Sequence, residues 1–166
     1  MILVVFGVAG AGKTTVGKML ADHLNWQFYD ADDFHPQANI EKMRRREALT
    51  DEDRDPWLHR LRDLIQSCIA ANQSAVLACS ALKKKYRDEL RASQEVKLIF
   101  LRADRSRVIE QLKSRPAHFF SPHLVDTQFQ DLEEPKSADD AITVEITGEP
   151  RDVVKKIETI LRQDQR

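Results

Sequence analysis

Residues 2–15 read ILVVFGVAGAGKTT: five apolar residues run without a break into glycines, then a lysine and two threonines. Gly7 to Thr14, GVAGAGKT, fits G-x-x-x-x-G-K-[ST], the loop that wraps the phosphates of a nucleoside triphosphate. The neighbours of this motif matter as much as its letters. An apolar strand must deliver the loop and a helix must leave it, and here a strand candidate ends at Phe6 and a helical period opens at Lys13. Gly7, Gly10 and Gly12 let the backbone curl where a Cβ would collide, while Val8, Ala9 and Ala11 between them keep their N–H groups for phosphate oxygens. The helix start adds partial positive charge and the N–H of Thr15. Lys13 is placed to reach the β- and γ-phosphates, and the Thr14 hydroxyl to ligate Mg²⁺. A glycine-rich turn with a chance lysine is the plain alternative, and the strand–loop–helix context argues against it.

Outward from this loop, short apolar runs alternate with helical periods. Strand candidates are QFYD (27–30), SAVLACS (74–80), VKLIFL (96–101) and ITVEIT (142–147). In the first helix Val16, Met19, Leu20, His23 and Leu24 fall on one face. A helix is expected from Pro36, and another with Asp55 as N-cap and Pro56 as its first residue. Trp57, Leu58, Leu61, Leu64, Ile65, Cys68 and Ile69 form the apolar stripe of that second helix. Further helices follow at 82–91, at 106–114 and from Pro150. Buried strands separated by helices predict an α/β fold with three α/β/α layers around a parallel sheet, its functional residues at the carboxyl ends of the strands.

Composition bounds the partners. The 166 residues suit one domain, 1–166, and a net charge of −1 lacks the basic excess of a nucleic-acid or membrane-surface protein. No apolar run reaches the length of a membrane span, and the opening MILVVFG is too short for the apolar core of a secretory signal. Cys68 and Cys79 show no metal or redox spacing, so a cytoplasmic protein with reduced, buried cysteines is expected. His118 and His123 lack zinc spacing.

The second expected strand runs into FYDADDFHPQANIEKM (28–43), with three acids in four positions. If the chain stays extended, Asp30 and Asp32 share one side and Asp33 points away. Asp32 is the candidate for orienting an acceptor hydroxyl, whereas Asp30 and Asp33 could equally cap the turn before Pro36. Positive charge converges from Arg54 and from Lys83 and Arg87, which are four residues apart. The third strand ends in Ser80, so the usual metal-side carboxylate is missing there, and Asp104 reads as a helix cap. A polar stretch at 114–135 is placed to act as a lid, with Arg115 as a candidate for neutralising the transferred phosphoryl group.

Taken together, GVAGAGKTT, DADDFHPxxNxxKM, DEDRxPWL, CSALKxxYRDxLR and RPAHFFSPHLVDTQFQDLEEP resemble the gluconokinases of the phosphate-loop type, within the shikimate-kinase and nucleoside-monophosphate-kinase-like group. The resemblance spans residues 7–135. It implies a five-stranded parallel sheet of order 2-3-1-4-5 with a lid, and a homodimer. The implied reaction is Mg²⁺-dependent transfer of the γ-phosphate of ATP to the 6-hydroxyl of D-gluconate. It also implies that Asp32 meets the acceptor hydroxyl. Arg54, Lys83 and Arg87 would lie around the sugar acid, with Arg115, His118 and Gln128 in or beside the lid. Relatives usually carry serines at Ala9 and Ala11, and often arginine at Gln111, where related kinases stack it on adenine; Arg102 is the candidate substitute. A kinase for another small anion such as shikimate, or an ATP-binding regulatory domain without transfer, are the competing readings.

Overall fold

A computed structural model of the chain describes residues 1–114, 122–137 and 141–164. Its frame is a five-stranded, all-parallel sheet of order β2-β3-β1-β4-β5, as the resemblance implies. The strands are β1 (Ile2–Phe6), β2 (Gln27–Asp30), β3 (Ala75–Cys79), β4 (Val96–Arg102) and β5 (Ala141–Glu145). The helices are α1 (Lys13–Leu24), α2 (Gln37–Arg44), α3 (Asp51–Ala70), α4 (Lys84–Leu90), α5 (Arg105–Lys113), α6 (Pro122–Asp131) and α7 (Pro150–Asp164).

The central strand is buried at all five positions, so its alternating side chains must serve two cores. Leu3 and Val5 join Val76, Ile99 and Leu101 beneath Val16 and Leu20 of α1, Val108 of α5 and Val153, Val154 and Ile157 of α7. Ile2, Val4 and Phe6 face the other way with Leu77, Leu98 and Phe100, against Trp57, Leu58, Leu61 and Ile65 of α3 and Leu90 of α4. Three layers follow directly from that alternation. Cys68 and Cys79 are buried and unbonded. His23 is an exception to the expected apolar face of α1: it is exposed and lies 3.2 Å from Glu158 of α7. Among the described residues, no helix is long and apolar enough to cross a membrane.

Three helix starts differ from expectation, the simplest being α4, which begins at Lys84 rather than at 82. Helix α2 begins at Gln37, with Pro36 in the cap position. Helix α3 begins at Asp51, and Pro56 lies inside it. The cause at α3 is a capping box. Thr50 accepts from the Asp53 N–H at 3.1 Å, and the Asp53 carboxylate accepts from the Thr50 N–H at 2.8 Å. Two otherwise orphaned donors are satisfied there, which outweighs the single intrahelical bond that Pro56 forfeits.

Candidate active site

The carboxyl ends of β1, β2 and β3 lie side by side, since Phe6 pairs with Cys79 and Asp30 with Ala78. The loop from Gly7 leaves β1 at that edge and enters α1 through Gly12. Gly12 has φ 91° and open space around it, so its backbone angle alone excludes a side chain. Gly10 is excluded twice over. Its φ is 81°, and a Cβ there would stand 2.9 Å from Cγ of Leu112 on α5. A cradle that demands glycines by both criteria fits a polyphosphate, whose oxygens need bare N–H groups at close range.

Lys13 opens α1 and its Nζ donates to the Val8 carbonyl at 2.9 Å, across the mouth of the loop. Beside it the Thr14 hydroxyl donates to Asp30 Oδ2 at 3.2 Å. Asp30 therefore places a carboxylate against the first turn of α1, one strand over from the end of β3, a contact the sequence pattern does not give. Its other oxygen accepts from the Asp32 N–H at 3.0 Å and turns the chain into a 3-10 helix over Ala31–Phe34. The extended run expected at 30–32 is thus replaced by a turn. Asp32 still reaches the same edge. Burial drives the Cys79 thiol up to about 12; Asp32 and Asp30 add to that rise, while Lys13 opposes it. All three charges therefore gather around the end of β3. Asp33 turns aside into the wall of an open depression of about 420 Å³ with Lys18, Tyr29 and Phe34.

A second cluster joins the starts of α3 and α4. Asp51 takes hydrogen bonds from Lys83 at 3.3 Å, from Lys85 and from the Tyr86 hydroxyl. These donors, Lys85 first, hold its carboxyl well below the usual range. Arg54 donates to the same hydroxyl at 3.3 Å and to the Leu49 carbonyl at 2.8 Å, with its guanidinium 5.5 Å from the Tyr86 ring centre. Burial and the Asp51 bond push the Tyr86 phenol up to about 12. Arg54 and Lys83 therefore converge, as expected.

Arg87 does not join them. It is 2% exposed, lies 4.9 Å over the Phe6 ring, and donates to the carbonyls of Ala81, Leu82 and Glu133 at 3.0, 2.8 and 2.7 Å. Ala81 has φ 40°, a left-handed angle that strains a residue with a Cβ, and the guanidinium braces that bend.

In α6, Gln128 accepts from the Ala9 N–H at 3.0 Å, so it touches the phosphate loop itself. Arg105 and Asp126, 2.7 Å apart, tie α6 to α5. Arg115 and His118 lie outside the described residues. Arg102 is held by Glu145 at 2.8 Å and Glu134 at 3.0 Å, and Gln111 is exposed on α5. Asp104 caps α5 by accepting from the Arg107 N–H at 2.9 Å, as its position suggests. Among the described residues, no group of three His, Cys, Asp or Glu side chains could hold a metal.

His35 is not among the residues that the sequence pattern points to. It is buried, stacks on Trp57 with ring centres 4.4 Å apart, and is held down to about 4 by burial and by the Arg54 charge. An unfolded histidine titrates near 6.5, so between these values the unfolded chain binds the extra proton. Stability is accordingly whole above about pH 6.5 and declines as the pH falls towards about 4, by about 2–3 kcal/mol at the lower end. Urea midpoints at about pH 7 and about pH 4.5 are expected to separate further for the wild type than for His35→Gln, which has no imidazole to charge. Equal separations would mean that this ring titrates as it does in the unfolded chain.

This arrangement has relatives. The shikimate kinase family model matches residues 9–161. The thermoresistant gluconokinase of Escherichia coli (strain K12) is 41% identical over 147 residues, covering 87% of this chain and 84% of its own. The gluconokinase of Gluconobacter oxydans (strain 621H) is 39% identical over 165 residues, covering 98% and 90%. A solved gluconokinase from Sinorhizobium meliloti 1021 superimposes with a TM-score of 0.83 at 35% identity, over 93% of this chain and 87% of that one. With its phosphate loop, its acid-bearing turn and these similarities over most of its length, the chain belongs to the gluconokinases of the shikimate kinase family.

Proposed function

We propose that the protein transfers the γ-phosphate of ATP to the 6-hydroxyl of D-gluconate, giving 6-phosphogluconate and ADP. The observation that carries this reading is the gathering of Lys13, Asp30 and Asp32 at the end of β3, one strand away from a loop that admits only glycine at its bends. Phosphoryl transfer asks for little covalent chemistry from a protein; it asks for alignment and placed charge.

In this reading the N–H groups of residues 7–15 hold the phosphates, and Lys13 moves from the Val8 carbonyl to the phosphoryl oxygens. Thr14 and Asp30 offer adjacent hard oxygens, 3.2 Å apart, which suit Mg²⁺. Bound Mg²⁺ supplies neutralisation of the triphosphate charge. Asp32 accepts the hydrogen bond of the acceptor hydroxyl and lines its oxygen up with phosphorus. The cations at Tyr86, Arg54 and Lys83, receive the sugar-acid carboxylate. Arg87 acts from beneath by shaping the 80–82 bend, and Gln128 acts at the loop. Arg115 and His118 are proposed for the lid side, with Arg115 set to neutralise the departing phosphoryl charge. Likeness to the family supports a homodimer, and the pairing of two unbonded cysteines with a sugar-acid kinase supports a cytoplasmic setting.

ADP release from Mg-ATP, measured against D-gluconate, shikimate and adenylyl sulfate, tests the reading. Release is expected to depend on gluconate. A rate independent of every acceptor would leave a nucleotide-binding domain without transfer. Lys83→Ala is expected to raise the KM for gluconate about tenfold, the worth of one charge-assisted hydrogen bond, with a smaller change for ATP. An unchanged gluconate KM would remove Lys83 from the site.

A further inference from the structure

His35 stands just past the turn that carries Asp32, and its backbone N–H points back to the Asp32 carbonyl at 3.5 Å. The Asn39 amide nitrogen, one helical turn on, lies 3.2 Å from Nδ1 and donates its other hydrogen to the Asp53 carbonyl at 2.8 Å. Flipping that amide would set its oxygen against the Asp53 carbonyl, acceptor to acceptor, so the nitrogen must face both partners. A donor at Nδ1 makes it the lone-pair nitrogen. The proton of the neutral ring is therefore on Nε2.

Among the described residues nothing accepts from Nε2, yet no buried polar side-chain atom lacks a partner. The Nε2 edge therefore opens to solvent although the ring as a whole is 8% exposed. The charge of Arg54 reaches the ring from α3, and the ring follows directly on the turn that carries Asp32, whose carbonyl faces the His35 N–H. The stack on Trp57, with planes 10° apart, and the bond from Asn39 leave that N–H one direction.

We propose that His35 is a specificity-determining residue whose Nε2–H, held as a fixed and uncharged donor, hydrogen-bonds a secondary hydroxyl of the sugar acid. This rests on the reading of the protein as a sugar-acid kinase. An uncharged donor has a particular use beside an arginine. A lysine here would draw the substrate's own carboxylate and permit a reversed pose, whereas an imidazole N–H favours a hydroxyl and fixes the chain's direction. A site built around a substrate hydroxyl also rejects the analogue without it, because the protein donor is then left unpaired.

The test compares kcat/KM for D-gluconate and for analogues each lacking one secondary hydroxyl, in the wild type, His35→Phe and His35→Gln. In the wild type one analogue is expected to lose about tenfold or more. In His35→Phe gluconate falls to the level of that analogue and the penalty vanishes. His35→Gln, whose amide nitrogen stands where Nε2 does, recovers much of the difference, and the KM for ATP stays within about twofold throughout. A wild-type nitrogen-15 spectrum checks the same point without a variant: the ring is expected to be neutral with its proton on Nε2, and that signal moves when gluconate is added. An unmoved signal, or a Phe variant that lowers every acid alike with the analogue pattern intact, overturns the proposal. Failure of the underlying reading is distinct, since the wild type would then show no gluconate-dependent ADP release.

Discussion

Asp32→Asn is expected to lower kcat for gluconate phosphorylation by about 10²- to 10⁴-fold, the usual worth of a positioned acid or base, while ATP binding persists. The substitution keeps the size of the side chain and its backbone N–H, which bonds Asp30 at 3.0 Å, so the turn should survive. What changes is the acceptor's partner. A carboxylate only accepts, and it orients an O–H uniquely, whereas an amide can present its NH₂ instead. The charge also matters, because Asp32 and Lys13 both contribute, with opposite sign, to the field at Cys79 at the end of β3. Single-turnover rates with saturating ATP separate this from binding. A variant with near-normal turnover would take Asp32 out of the acceptor role and leave Asp30 as the acid that counts.

The second large effect belongs to Lys13. Lys13→Ala removes a cation from the mouth of the loop, where charge builds on the phosphoryl oxygens, and a loss of about 10³-fold or more in kcat is expected. Fold stability is expected to change little, since the Lys13 ammonium lies at a partly open site, where it donates to the Val8 carbonyl at 2.9 Å. Thermal unfolding and kcat are thus expected to part company. If the variant loses stability in step with activity, the lysine is mainly a strut for the loop, and the phosphates are held by backbone alone.

Much of this arrangement could be read from the sequence, for reasons that differ by element. The phosphate loop was legible because its glycines answer to backbone angles and close approaches that no other residue meets, as at Gly10 and Gly12. The layers were legible because β1 is apolar at five successive positions and needs cover on both faces. Strand order came from resemblance; alternation alone does not say which strand is central.

The misses share a different cause, which is local hydrogen bonding that a periodic count ignores. Lys83 and Arg87 are four apart, but α4 starts at Lys84, so Lys83 lies outside the helix in extended backbone and the two side chains diverge. Asp55-Pro56 has the form of a helix start, but Thr50 and Asp53 cap one another and start the helix five residues earlier, through a pattern legible as T-x-x-D. For Asp30 the sequence leaves turn capping and a site role equally open, because neither spacing nor composition says what lies beside the end of β2. The parallel register brings Asp30 level with Ala78, one strand over, where it reaches Thr14 as well as the turn. His35 carried no signal of its own beyond its place in the acid-rich segment.

The buried guanidinium under the 80–82 bend has a consequence for how the protein can vary. Arginine stays protonated at every pH the fold survives, so the three carbonyls it holds keep their places while nearby carboxylates and imidazoles change charge. Lysine could not replace it, because a single ammonium lacks the flat, forked spread that meets carbonyls from two separate segments. Position 87 therefore ties the 80–82 bend to the segment at Glu133, and a change there is expected to reshape the acceptor side before it shows as a lost fold.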